Sequence, residues 1–312
     1  MKKLAFLFPG QGSQKVGMAQ DVYREYDFVR DIFAAAEEAV QLDLSKMCFE
    51  GPIEDLTLTV NLQPAITAVN LAYLAPIIRA GIEPAYAAGH SLGEYSALYA
   101  ARAVSLENTF RLVFKRGELM QREATRQQGA MTAIIGLTID AVRDVVDRVR
   151  DEGVVSVANH NMDLQTVITG SPQAVARAAS LASSQGAKAV ELRVSGAWHS
   201  ELIRGAEDDF SRFLGQIPFF PPQCPVIHNV SADTALTPET IRGVLARQLC
   251  SPVKWYDTMC RLIAEEVDAF VEIGPGKVLS GLLKKTLTES QPCPIFTVNN
   301  LKSMEKFLNA IV

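Results

Sequence analysis

The chain has 312 residues, of which 48% are apolar and 21% charged, and a formal net charge of −5. That length holds one large domain plus a small one, and at this mild acidity nothing suggests a nucleic-acid groove or a polybasic membrane surface. Five cysteines (Cys48, Cys224, Cys250, Cys260, Cys293) form no CxxC pair, and the histidines form no HExxH. A disulfide framework and a zinc site are therefore not expected, no metal or other cofactor is anticipated, and a reducing, cytoplasmic setting fits.

The run Leu4-Ala5-Phe6-Leu7-Phe8 stops at Pro9-Gly10, short of a signal-peptide core, and reads as a buried first strand. No stretch approaches the ~20 apolar residues of a membrane span. Helical patterns follow at roughly 29–41 and 63–80, the second opening at Gln63-Pro64, where proline suits a first turn. Residues 83–89 read as a short strand, Gly93 to Arg102 as helix, and 105–124 as another helix.

From about 130 the texture changes. Strands at 131–137, 154–158, 165–169 and 187–194 alternate with helices at 139–152 and 172–185, giving β-α-β-β-α-β, the order of a ferredoxin-like unit. Val142, Val145, Val146 and Val149 carry the helical spacing of the first of these helices. After 197 the α/β alternation resumes, with a strand at 268–273, helix at 278–287, strand at 295–298 and a closing helix at 302–311. The expected fold class is α/β, a mainly parallel sheet with helices on both faces. Residues 1–127 and 197–312 form the discontinuous core, and 128–196 the inserted α+β subdomain.

The strongest local signal is Gly89-His90-Ser91-Leu92-Gly93, a G-x-S-x-G between a strand and a helix. Glycine at both flanks permits a sharp turn with close backbone approach, which lifts the serine off the strand end. A capping serine in a loop is the bland alternative. A serine nucleophile needs a base, and the chain has four histidines: His90, His160, His199 and His228. His90 sits beside the serine on the elbow, His160 and His228 are expected in loops after strands, and His199 follows the last strand of the inserted unit. Position alone does not choose among them. Gly10-Gln11-Gly12 could be a phosphate cradle, but Lys15 holds the third glycine position of a dinucleotide fingerprint.

Taken together the motifs resemble one family, the malonyl-CoA:acyl carrier protein transacylases and the related acyltransferase domains of polyketide synthases. The resemblance runs through Phe8-Pro9-Gly10-Gln11-Gly12-Ser13-Gln14, Gln63-Pro64-Ala65, Gly89-His90-Ser91-Leu92-Gly93-Glu94 and Arg116-Gly117-Glu118-Leu119-Met120-Gln121. It continues through Val194-Ser195-Gly196, His199, Gln248, Ser251-Pro252-Val253 and Glu272-Ile273-Gly274-Pro275-Gly276. The resemblance implies a hydrolase-like core with a ferredoxin-like insertion. It implies Ser91 as the acylated nucleophile, His199 as its general base, and the backbone N–H groups of Gln11 and Leu92 as an oxyanion hole. It also implies that Arg116 grips the free malonyl carboxylate, a bidentate match for a planar guanidinium, whereas spacing alone would leave Arg116 on a charged helix surface beside Arg111 and Lys115. Gln248 corresponds to the glutamine that holds the histidine, and Gln11, Gln248, Asn159 and Trp198 to substrate contacts.

Two departures stand out. Trp198 replaces the phenylalanine or smaller residue usual before the histidine, and would crowd an α-branched acyl group. The turn after Asn159 also differs from the family pattern. The implied partners are malonyl-CoA and an acyl carrier protein, with no nucleic acid and no membrane, and the chain is expected to be a monomer. The rival readings are a serine thioesterase or hydrolase, an interaction protein that kept the fold, and an acyltransferase serving a polyketide or malonate-decarboxylase system. Against a hydrolase, no acidic residue between Ser91 and His199 stands out as a third triad member.

Overall fold

Five successive apolar residues, Leu4–Phe8, form strand β1, and all five are buried. A strand covered on both faces needs no polar alternation, and β1 lies inside the larger sheet. The remaining strands are β2 (Tyr86–Gly89), β3 (Ala130–Ile135), β4 (Val155–Met162), β5 (Gln165–Gly170), β6 (Lys188–Glu191), β7 (Val226–His228), β8 (Asp233–Thr234), β9 (Ala269–Ile273) and β10 (Ile295–Val298). The computed structural model describes residues 2–287 and 292–311.

The larger sheet runs β10-β9-β1-β2-β7-β8. Its strands pair in parallel except at β7–β8. The pleat of β1 divides the core into two layers. Leu4, Phe6 and Phe8 join one apolar cluster with helices Asp27–Val40, Thr59–Arg79 and Leu106–Arg126. Ala5 and Leu7 join the other, with helices Trp255–Ala264 and Val278–Thr286. No helix of the described residues is long and apolar enough to cross a membrane.

The smaller sheet is antiparallel in the order β4-β5-β3-β6. Helices Ile139–Asp147 and Pro172–Ser184 share an apolar cluster with Ile134, Val155 and Ile168. The segments that lead into and out of the smaller sheet touch: a Cβ on Gly129 would lie 2.1 Å from the Ala197 nitrogen. His199 is therefore delivered at the seam. The seam is also stitched by the backbone: His160 N–H donates to Val253 (2.9 Å) and Val253 N–H to Ala158 (2.8 Å).

Three expectations about elements change. The long second helix begins at Thr59, so Pro64 lies inside it rather than in its first turn. Gly117 on the neighbouring helix lets the pair pack closely there, since a Cβ would sit 2.8 Å from the Thr59 carbonyl oxygen. Strand β4 extends to Met162, which places His160 in a strand instead of a loop. Register shifts at Val157/Asn159 and His160/Met162 break the alternation that would have marked its second half. His228 closes β7 rather than following it.

Candidate active site

β1 and β2 end side by side, with Phe8 opposite Gly89. This is the carboxyl edge of a parallel sheet, where open α/β folds place their ligands. The turn from β2 into helix Gly93–Ala100 is tight: a Cβ on Gly89 would lie 1.9 Å from the Gly93 carbonyl carbon, and one on Gly93 2.0 Å from the Phe8 oxygen. Neither neighbour can retreat, because both are backbone. Gly93→Ala is expected to destabilise the protein by about 3 kcal/mol, the upper range of core overpacking, read as a lower urea midpoint. Ser91 at the apex has φ 50°, a left-handed conformation that costs a non-glycine residue about 1–3 kcal/mol. Asn229 holds it in place, its Oδ1 accepting the Ser91 N–H (2.6 Å) while its Nδ2 donates to the Gly89 carbonyl (2.7 Å).

The loop after β1 lies against the elbow. A Cβ on Gly10 would sit 2.4 Å from the His90 oxygen and 3.5 Å from the Leu92 nitrogen. Among the described residues no hydrogen bond engages the backbone N–H of Gln11 or of Leu92, so both remain available as donors beside Ser91.

His199 Nε2 is 2.8 Å from Ser91 Oγ. Its Nδ1 faces two backbone carbonyls, Gln248 at 2.9 Å and Ser251 at 3.1 Å. Carbonyls only accept, so Nδ1 carries the hydrogen and Nε2 presents its lone pair to the serine hydroxyl. Burial, reinforced by the nearby Arg116 guanidinium, pulls the imidazole pKa down to about 3, which keeps the ring neutral at physiological pH.

Arg116 is 1% exposed, not on a charged surface. Its Nη2 donates to Ser91 Oγ (3.0 Å), its Nη1 to Gln63 Oε1 (3.0 Å) and its Nε to Gln248 Oε1 (3.2 Å). The guanidinium also lies over the Tyr95 ring, 5.7 Å from its centroid. Burial lowers its pKa. Gln248 serves twice: its carbonyl holds His199, and its side-chain Nε2 donates to the Ser91 carbonyl (3.1 Å) and to Glu94 Oε2 (2.8 Å).

The structure thus brings Ser91, His199, Arg116 and Gln248 into one cluster, with Gln11 and Leu92 on the adjoining backbone. Asn159 is buried in β4 and bridges Val253 through its backbone. Among the described residues its side chain makes no hydrogen bond to Ser91, His199 or Arg116; its neighbour Asn161 instead meets His90 Nε2 at 2.9 Å. Trp198 is buried next to His199, and its six-membered ring lies against Gly196. His160 packs against Tyr256, with ring centroids 5.0 Å apart. His228 Nδ1 lies 2.7 Å from Glu94 Oε1.

Several residues of the site carried no role in the sequence: Gln63, Glu94, Asn161, Asn229 and Ser251. A signal for two of them was present, since Gln63 and Glu94 interrupt otherwise apolar helical stretches, and a buried polar group must find partners. Glu94 also amends the view that no acid stands out after Ser91. It is fully buried three residues on, but it meets His228 rather than His199.

Comparison with known proteins agrees in sequence and in fold. The acyl transferase domain family matches residues 5–307. A malonyl CoA-acyl carrier protein transacylase of Bacillus subtilis (strain 168) is 45% identical over 287 residues, covering 91% of this chain and 90% of the relative. The crystal structure of an acyl carrier protein S-malonyltransferase from Vibrio cholerae superposes with a TM-score of 0.93 at 40% identity, covering 98% of this chain and 99% of that one. A malonyl-transacylase solved in complex with a type II PKS acyl-carrier protein superposes at 0.94 with 37% identity, covering 99% of each chain. A shared pattern over nearly the whole length, at this identity and with this superposition, places the chain in the acyl transferase family, among the malonyl CoA-acyl carrier protein transacylases.

Proposed function

We propose that this enzyme moves the malonyl group from malonyl-CoA to the phosphopantetheine thiol of an acyl carrier protein through a malonyl-serine intermediate at Ser91. The observation that carries the reading is the position of Arg116, a fully buried guanidinium 3.0 Å from the serine hydroxyl. An acyl group attached at Ser91 Oγ and ending in a carboxylate would place that carboxylate within reach of the guanidinium.

The reaction then runs in two mirrored halves. Ser91 Oγ attacks the thioester carbonyl as its proton passes to His199 Nε2. The imidazolium so formed is stabilised by the two carbonyls at Nδ1. Charge developing on the thioester oxygen meets the N–H groups of Gln11 and Leu92. Coenzyme A leaves with the proton from His199, and the carrier's thiol repeats the sequence in reverse. Pairing with the acyl carboxylate neutralises Arg116, which removes one of the causes that depress His199 and makes it a stronger base once malonyl is bound.

His199 held by carbonyls instead of a carboxylate favours transfer over a hydrolase triad, as does an arginine that selects one acyl group. The arrangement fits a catalytic core of residues 1–127 and 197–312 around the inserted unit 128–196. Its setting is the cytoplasmic supply of malonyl units to fatty-acid synthesis. The test is intact-mass analysis after mixing with malonyl-CoA and no acceptor. One retained malonyl group on the Ser91 peptide is expected, and a transient or differently placed label would refute the mechanism.

A further inference from the structure

Arg116 is buried with a full positive charge, yet its three hydrogen-bond acceptors, Ser91, Gln63 and Gln248, are all neutral. Glu94 is buried close by with a carboxylate that meets three donors: His228 Nδ1 (2.7 Å), the Asn229 N–H (3.0 Å) and Gln248 Nε2 (2.8 Å). Isolated buried charges are costly, so each of these needs an opposite charge. Among the described residues His228 Nε2 is buried with no hydrogen-bond partner.

Gln248 joins the two charges. Its Nε2 donates to Glu94 Oε2 while its Oε1 accepts from Arg116 Nε. The amide cannot be reversed, because a guanidinium only donates and a carboxylate only accepts. Its dipole therefore lies along the line between the charges, and each end polarises the other.

We infer that Glu94 is the counter-charge of Arg116, coupled to it through the Gln248 side-chain amide, and that this pairing limits how strongly the site holds a carboxylate-bearing acyl group. The inference rests on the malonyl reading. With Glu94 in place the empty site is neutral, and an incoming acyl carboxylate takes it to a net −1. Glu94 opposes that carboxylate while it keeps Arg116 in position for it. A transferase that must also release its acyl group to an acceptor gains from such moderation, because uniformly tight binding of the acyl carboxylate does not speed the chemical step. Glu94 is thus a positioning residue, acting through Arg116 and Gln248.

Glu94→Gln removes the charge and keeps the hydrogen bonds made at the Oε2 position. With its oxygen at the Oε2 position it still accepts from Asn229 and Gln248. With its NH2 at the Oε1 position it faces His228 Nδ1, so that ring must move its hydrogen to the partnerless Nε2, a cost that falls on both substrates alike and cancels in their ratio. Initial rates with malonyl-CoA and acetyl-CoA give the first readout, on wild type, Glu94→Gln and Glu94→Asp. In Glu94→Gln the malonyl-to-acetyl ratio of kcat/KM is expected to rise about tenfold, equal to ~1.4 kcal/mol, mainly through a lower KM for malonyl-CoA. Glu94→Asp keeps the charge, so its ratio should stay within about threefold of wild type even as both rates fall.

The second readout is thermal unfolding and needs no substrate. Arg116→Ala leaves Glu94 uncompensated, so the double variant Arg116→Ala, Glu94→Gln is expected to unfold at a higher temperature than Arg116→Ala alone. That arm also stands if Glu94→Gln by itself does not fold. An unchanged malonyl-to-acetyl ratio in Glu94→Gln, with both rates lowered together, would overturn the inference. So would a double variant no more stable than Arg116→Ala. Failure of the wild type to accept malonyl would count against the proposed substrate and leave the unfolding result to decide the charge pairing.

Discussion

Replacing His199 with alanine is expected to slow acylation of Ser91 by about two to four orders of magnitude, the usual reach of a general base. Rapid-quench labelling with malonyl-CoA measures it. The size follows from geometry: Nε2 is 2.8 Å from the hydroxyl, and its lone pair is aimed there by the two carbonyls that fix Nδ1. The fold should survive, since the substitution removes hydrogen bonds to two backbone carbonyls and the Ser91 hydroxyl and leaves the apolar core untouched. His160→Ala, which removes a ring packed against Tyr256, should leave acylation near wild type. The pH dependence has a definite sign. The folded pKa of His199 is depressed to about 3, below the ~6.5 of an unperturbed histidine. The ring is therefore neutral and competent throughout pH 5–8, and acylation should show no acid limb near 6.5. The same shift links to stability: the His199 contribution is complete above about 6.5 and is lost as pH falls toward 3. A wild-type-like rate in His199→Ala would move the base role to another residue.

The parts of this molecule legible in its sequence share one property, that a local pattern reported a local constraint. β1 could be read because an apolar run ending in Pro-Gly has few alternatives. The elbow could be read because Gly89 and Gly93 are forced by contacts within a few residues. The β-α-β-β-α-β order could be read because its two helices keep their apolar period and its strands are short and set between them. Failures came where distant partners decide. Pro64 suggested a helix start, but packing against Gly117 carries the helix four residues further back. The second half of β4 escaped notice because its bulges break the alternation, and with it went Asn161, which meets His90 across the seam. Asn229 lies 138 residues from the serine it holds. Nothing in its neighbourhood marks it, because its role exists only once β7 lies beside β2. Motif resemblance, not periodicity, singled out Arg116: on a helix with Arg111, Lys115 and Arg122, only the tertiary fold distinguishes the arginine that turns inward.

Arg116→Ala should lower malonyl transfer by two orders of magnitude or more while sparing or raising acetyl transfer. In the proposed malonyl-enzyme the guanidinium would offset desolvation of the acyl carboxylate. Without it that charge is buried and unpaired, a loss of about 3–5 kcal/mol by analogy with broken buried ion pairs. Acetyl carries no such charge. For acetyl the variant should bring a gain, because Arg116 is among the causes that hold the His199 pKa down, and its removal leaves a stronger base facing Ser91. Two opposing effects are thus predicted from one substitution, and the substrate decides which one dominates. Arg116→Lys should restore only part of the malonyl rate, because an ammonium cannot reach Ser91, Gln63 and Gln248 at once or present two parallel donors to a carboxylate. Initial rates with malonyl-CoA and acetyl-CoA, on wild type and both variants, make the measurement. Parallel loss of both activities in Arg116→Ala would mean that the arginine holds the fold or contacts coenzyme A, and selection of a carboxylate at this serine would have to be sought elsewhere.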